Sequence, residues 1–142
     1  MPFRLIYSSE AAPDLAEAGL QEMLADSRVR NRAHGITGVL LFVEGAFLQI
    51  LEGEETEVRS LMARIEVDPR HHGIKVFYEE NVRERAFPSW SMAYLSPSAE
   101  EVAKWAELES ATTIGAVLAS VESNPGRLPK MVVNILKTLA AP

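Results

Sequence analysis

Residues 35–53 read Gly35-Ile-Thr-Gly-Val-Leu-Leu-Phe-Val-Glu-Gly-Ala-Phe-Leu-Gln-Ile-Leu-Glu-Gly53. After Gly35, residues 36–43 are an almost unbroken apolar run, the pattern of a strand buried on both faces. Glu44-Gly45 marks a tight turn. Residues 46–52 then return as the second arm of a hairpin, which Gly53 closes. Upstream, residues 2–8 alternate as a strand, with Phe3, Leu5 and Tyr7 on one face and Arg4, Ile6 and Ser8 on the other. Between these strands, residues 14–31 predict a helix. Pro13 suits its start, Asp14 and Glu17 suit its first turn, and Leu20, Leu24, Ser27 and Asn31 form one stripe. Downstream, residues 55–67 predict a second amphipathic helix with Val58, Leu61, Met62 and Ile65 inward. Residues 74–82 read as a fourth strand, 83–90 as a loop rich in arginine and aromatics, and 91–95 as a short fifth strand.

This order predicts an α+β fold: a ferredoxin-like β-α-β-β-α-β core with a fifth strand. Right-handed crossovers place both core helices on one sheet face. From residue 96 the pattern is helical. Pro97 and a Ser98–Glu101 capping box open a first helix, with Val102, Trp105, Ala106 and Glu109 on one stripe. A second spans 112–122, Asn124-Pro125-Gly126 breaks it, and 128–140 is a third. Residues 1–96 are thus expected to form one domain. Residues 97–142 are expected to form a helical extension that packs on the sheet or on a partner.

The chain has 142 residues, 47% of them apolar, which suffices for one cored domain. It holds no apolar run of the roughly 18 residues that a membrane span needs. Its first residues lack the basic, apolar and small-residue regions of a signal peptide. The expectation is a cytoplasmic protein with no membrane partner. The absence of cysteine excludes disulfides, thiolate metal sites and cysteine nucleophiles. A formal charge of −6 argues against nucleic acid as a partner.

Four features carry chemistry. By strand parity Gln49 falls on the face of Phe47 and Leu51, and Tyr7 on the face of Phe3 and Leu5. A buried polar group without a partner costs about 1–3 kcal/mol, so neighbouring strands would let the two satisfy each other. A plain buried hydrogen bond explains this equally well. Asn31 ends the first helical stripe, either as a cap or as a donor–acceptor pair for a planar ligand edge. Arg64 and Asp68 stand i,i+4 and could be a surface ion pair, while Arg70 suits an anionic phosphate. Consecutive His71 and His72 diverge and make no metal frame, so no metal is expected. Trp90 and Met92, at i,i+2, share a face of an extended segment. Singly, none of these names a function.

Together they resemble the BLUF domain, the blue-light sensor using FAD. The resemblance runs through Tyr7-Ser8-Ser9, Ser27-x-x-x-Asn31, Gly35-Ile-Thr-Gly38 and Phe47-x-Gln49-x-Leu51-Glu52-Gly53. It continues through Arg64-Ile65-x-x-Asp68-x-Arg70-His71 and Arg85-x-Phe87-x-x-Trp90-x-Met92, and covers roughly residues 2–96. It implies non-covalent FAD, or alternatively FMN, held between the two core helices. It implies a cofactor site of Tyr7, Ser27, Asn31, Gln49, Arg64, Ile65, Asp68, Arg70 and His71. Asn31 would hold the ring edge, Gln49 would sit between Tyr7 and the flavin, and Arg70 and His71 would lie towards the phosphate. The photoswitch residues implied are Tyr7, Gln49, Trp90 and Met92. Tyr7 would give an electron and a proton after light absorption. Gln49 can reverse its hydrogen bonding in place, because its amide has a donor and an acceptor end. The result is a red-shifted signalling state, relayed through Trp90, Met92 and strand 91–95 to the C-terminal helices. The missing cysteine agrees with a switch that needs no covalent adduct.

The expectation is therefore a photoreceptor rather than an enzyme, acting as a homodimer on a downstream protein. Arg30 departs from the resemblance, since similar proteins often carry His or Asn there. A flavin-dependent oxidoreductase is one alternative, although no G-x-G-x-x-G fingerprint is present. A cofactor-free ferredoxin-like regulatory module is another, since that fold hosts many functions.

Overall fold

The structure is a computed structural model that describes residues 1–108 and 113–140. Its elements run β1 (Phe3–Ala11), α1 (Glu17–Ala33), β2 (Thr37–Val43), β3 (Ala46–Gly53), α2 (Glu55–Glu66), β4 (His71–Asn81) and β5 (Ala93–Leu95). Three helices follow: α3 (Ala99–Trp105), α4 (Ile114–Ser123) and α5 (Arg127–Ala140). The strands form one sheet in the order β4-β1-β3-β2-β5. Neighbours are antiparallel except β2 and β5, which are parallel. The first four strands and two helices give the ferredoxin-like plan, and β5 extends it at the β2 edge.

The hairpin that decides the fold turns on Glu44 and Gly45, with φ of 51° and 79°. Two successive left-handed residues match the twist of the arms, and glycine takes one at no steric cost. Gly38 answers a different need: a Cβ there would lie 1.9 Å from the Ile50 carbonyl oxygen, so β2 and β3 approach closely only because it has none.

Strand alternation divides the core in two. Phe3, Leu5, Tyr7, Phe47 and Leu51 face α1 and α2, where Leu20, Leu24, Val58 and Leu61 complete one buried cluster. Ile6, Leu41, Leu48 and Ile50 face the other way and pack with Val102, Val117, Val121, Leu128, Met131 and Ile135 of α3, α4 and α5. The C-terminal helices thus cover the sheet face opposite α1 and α2.

Several boundaries differ from the sequence reading. The first helix starts at Glu17, not 14, because Pro13 sits in a turn in which Leu15 N–H donates to the Ala12 carbonyl at 3.0 Å. Proline favours the second position of such turns. Only Glu17, not Asp14, is in the first helical turn. β4 starts three residues early, at His71, because register shifts near Ser8 let His71 and His72 pair with Ala11 and Glu10. The capping box forms as read, with Ser98 Oγ accepting from Glu101 N–H at 3.1 Å. α4 begins at Ile114, with Thr113 as its cap. The stripe position Glu109 and the expected helix start at 112 lie outside the described residues.

Candidate functional site

A narrow cleft of about 40 Å³ opens between α1 and α2 over the middle of the sheet. Tyr7 and Gln49 form its floor. They are direct partners in the β1–β3 register, and the Tyr7 hydroxyl donates to Gln49 Oε1. The other end of the same amide, Nε2, points at Met92 Sδ, 3.4 Å away. Gln49 is thus held at both ends, by a phenol at its acceptor and a thioether at its donor. Burial, and secondarily the charge of Asp68, push the Tyr7 phenol well above its ordinary range, so it keeps its proton through neutral pH.

The α1 wall is a helical stripe. Met23, Ser27, Arg30 and Asn31 line the cleft at spacings of three and four. Asn31 is almost fully buried, and its Nδ2 donates to the Ser91 carbonyl at 2.6 Å. Its second N–H and its Oδ1 remain for a ligand. The α2 wall contributes Leu61 and Ile65, with Leu40 and Phe47 on the sheet. These apolar surfaces suit the two faces of a planar ring system.

Charge gathers where α2 ends. Asp68 receives both its backbone and its guanidinium hydrogen bonds from Arg70, the shortest 2.7 Å from Nη2 to Oδ2. Those bonds hold the Asp68 carboxyl below the usual carboxylate range. His71 spans the site: Nδ1 lies 2.7 Å from Ser9 Oγ and Nε2 lies 2.9 Å from the Ile65 carbonyl. The carbonyl can only accept, so Nε2 carries a hydrogen. His71 thereby ties β1 to the end of α2.

Eight of the nine expected cofactor residues line this cleft: Tyr7, Ser27, Asn31, Gln49, Ile65, Asp68, Arg70 and His71. Arg64 does not. It lines a smaller adjoining cavity with His34 and Glu57. Nor does it pair with Asp68 among the described residues. α2 ends at Glu66, so helical i,i+4 geometry is lost, and Arg70 takes the carboxylate instead. The expected common face of Trp90 and Met92 is also corrected. Trp90 N–H turns back to the Phe87 carbonyl at 3.4 Å, and the regular strand begins only at Ala93, not 91. Met92 is therefore buried in the cluster that holds Tyr7 and Leu40, while Trp90 packs with Phe87 against the cluster on the other sheet face. The cleft's Met23 and Leu40 were not expected. The first shares the Ser27 stripe, and the second faces Gln49 in the β2–β3 register.

One buried group outside the cleft organises its far side. Glu52 is fully buried, pairs with Arg4 at 2.8 Å and accepts the backbone N–H groups of Ala86 and Phe87, each at 2.9 Å. It lies on the opposite face of β3 from Gln49 and pins the loop that leads to Trp90 and Met92. A carboxylate in phase with Leu48 and Ile50 was the signal for it.

Among the described residues, no group of three His, Cys, Asp or Glu side chains could hold a metal, and no helix is long and apolar enough to cross a membrane.

A family model described as BLUF, sensors of blue-light using FAD, matches residues 3–93. The photoactivated adenylate cyclase subunit beta of Euglena gracilis is 32% identical over 93% of this chain, which spans 15% of that protein. The dark-state structure of the BLUF protein BlrB superposes with a TM-score of 0.76 at 29% identity, covering 96% of each chain. A structure of Klebsiella pneumoniae BlrP1 with FMN and cyclic diGMP superposes with a TM-score of 0.64 at 34% identity, over 68% of this chain and 26% of that one.

Proposed function

The chain belongs to the BLUF family, the flavin-binding sensors of blue light, and from that premise we propose that Tyr7, Gln49 and Met92 form its switch. One observation carries this reading. The Gln49 amide bridges a phenol and a thioether on the floor of a cleft whose wall holds a buried Asn31 with spare hydrogen-bonding capacity. The chemistry of the cleft lining suits the flavin: apolar side chains for its ring faces, amides for its edge, and Arg70 and His71 for its polar tail. When bound, the flavin supplies light absorption and a strong excited-state oxidant.

The rest falls to the protein. Tyr7 is the electron and proton donor, because it is buried in the cleft and protonated. Gln49 changes its hydrogen bonds, since reversing the amide exchanges the atoms offered to Tyr7 and Met92. That exchange turns an oxygen towards Met92 Sδ, a weak acceptor, and so removes the hold on Met92. Two residues upstream, Trp90 packs against the buried cluster to which both the sheet and α3, α4 and α5 contribute. A shift at Met92 therefore reaches the cluster shared with the C-terminal helices within three residues of chain. A local change of this kind signals by biasing a two-state element, here the entry to β5.

FAD is the form we assign, on the family's description. Mass spectrometry of flavin released by denaturation tests this, and FMN alone would overturn it. We further assign the output to a downstream protein read through α3–α5, with the chain acting as a homodimer and not as a catalyst. Light scattering in the dark and in blue light tests the assembly; a monomer in both would overturn it. For the switch, the test is illumination of Tyr7→Phe. It is expected to bind flavin and to lose the reversible red shift, whereas a parental shift would remove Tyr7 from the mechanism.

A further inference from the structure

Three consecutive carbonyls leading into β5 are each gripped from outside. Gly38 N–H donates to the Trp90 carbonyl at 3.0 Å, Asn31 Nδ2 to that of Ser91 at 2.6 Å, and Arg28 Nε to that of Met92 at 3.0 Å. The first is a backbone bond from β2 and the second comes from a residue of the cleft. Arg28 belongs to neither. It stands one helical turn before Asn31 on α1, does not line the cleft, and forms no ion pair among the described residues. A half-buried guanidinium is here spent on one backbone carbonyl. Ordering so long a side chain has an entropic cost, and the charge-assisted bond must offset it.

The position of that carbonyl matters. At the other end of the segment, Glu52 holds Ala86 and Phe87. Between these clamps the chain makes a turn, not a strand. Met92 is where the segment meets Gln49, and the one hydrogen bond its side chain accepts among the described residues is a weak N–H···S contact of 3.4 Å. The backbone bond from Arg28 is the stronger of these two hydrogen bonds.

We propose that Arg28 is a positioning residue of the light response: it keeps the Met92 backbone in the dark arrangement and sets the speed of return to it. This rests on the photoreceptor reading above. A bond made in the dark arrangement stabilises that arrangement. Removing it shifts the balance towards the released segment and slows recovery.

The test replaces Arg28 with Met, which keeps the length of the side chain but not its donors, and separately with Lys, which restores one donor. Two quantities are measured: amide hydrogen exchange of residues 90–95 in the dark, and recovery of the dark absorption spectrum after a blue pulse. For Arg28→Met the expected result is faster exchange and recovery slowed by roughly 3- to 10-fold, the scale of one partly exposed charge-assisted hydrogen bond. Arg28→Lys is expected to fall between it and the parent, and it stands alone if Arg28→Met does not fold. Faster exchange with unchanged recovery would mean a merely structural contact and would overturn the proposal, as would no change in either. The parent protein is the internal control: if it shows no reversible red shift, the photoreceptor reading fails, whatever Arg28 does.

Discussion

Gln49, on the cleft floor, meets Met92, with its amide Nε2 3.4 Å from the Met92 Sδ. The contact joins the central strand β3 to the entry of the edge strand β5, which are otherwise separated by β2. It is the shortest physical route from the hydrogen bond of Tyr7 and Gln49 to the segment that carries Trp90. Because sulfur is a weak acceptor, this link holds loosely, as a switch requires.

Glu52→Gln is expected to destabilise the protein by about 3 kcal/mol, because it leaves Arg4 without its buried counter-charge. Urea unfolding reads this as a lower midpoint at an unchanged slope. The dark spectrum of bound flavin is expected to stay as in the parent, since Glu52 and Gln49 lie on opposite faces of β3. A midpoint equal to that of the parent would mean that the pair with Arg4 and the loop clamp contribute nothing net.

Stability should fall at alkaline pH through Tyr7. Its phenol titrates higher in the folded protein than in the unfolded chain, so its contribution is complete below about pH 10 and is lost as pH rises further. Tyr78 is shifted the same way, more weakly buried. Tyr7→Phe is expected to flatten the loss of stability above about pH 10 by one proton's worth. Equal slopes in the two proteins would show that Tyr7 ionises while folded.

At acid pH the corresponding group is Asp68. Its folded carboxyl lies below the unfolded value, so its contribution is present above about pH 4 and is lost as pH falls through the folded pKa. The pair with Arg70 is partly exposed, at 21% and 31% of the side chains. Its contribution is therefore expected to be under about 1 kcal/mol. Asp68→Asn should remove that acid limb, and it should also free Arg70, measurable as altered flavin affinity in a fluorescence titration. An unchanged acid limb would contradict the hydrogen-bonded geometry.

Much of this site was legible in the sequence because strand alternation is a strict period of two. It put Tyr7 with Leu5 and Gln49 with Leu51, and the register then set the two opposite each other. The helical stripe through Leu20, Leu24 and Ser27 carried Asn31 to the cleft in the same way. What failed lay where no period governs. Trp90 and Met92 fell on opposite faces because the chain turns at Phe87–Trp90 before it extends. Arg64 and Asp68 parted because the helix stops at Glu66, two residues before Asp68. Arg28 had no signal, since its partner is a backbone carbonyl 64 residues away.

The most direct measurement is the absorption spectrum of the flavin-loaded protein in the dark, under blue light and after return to darkness, for the parent and for Gln49→Leu. Leucine keeps the apolar bulk of residue 49 but has neither end of the amide. The parent is expected to shift reversibly to longer wavelength, and Gln49→Leu to keep its flavin and show no shift. A Gln49→Leu protein that still shifts by the parental amount would contradict a switch built on the Gln49 amide.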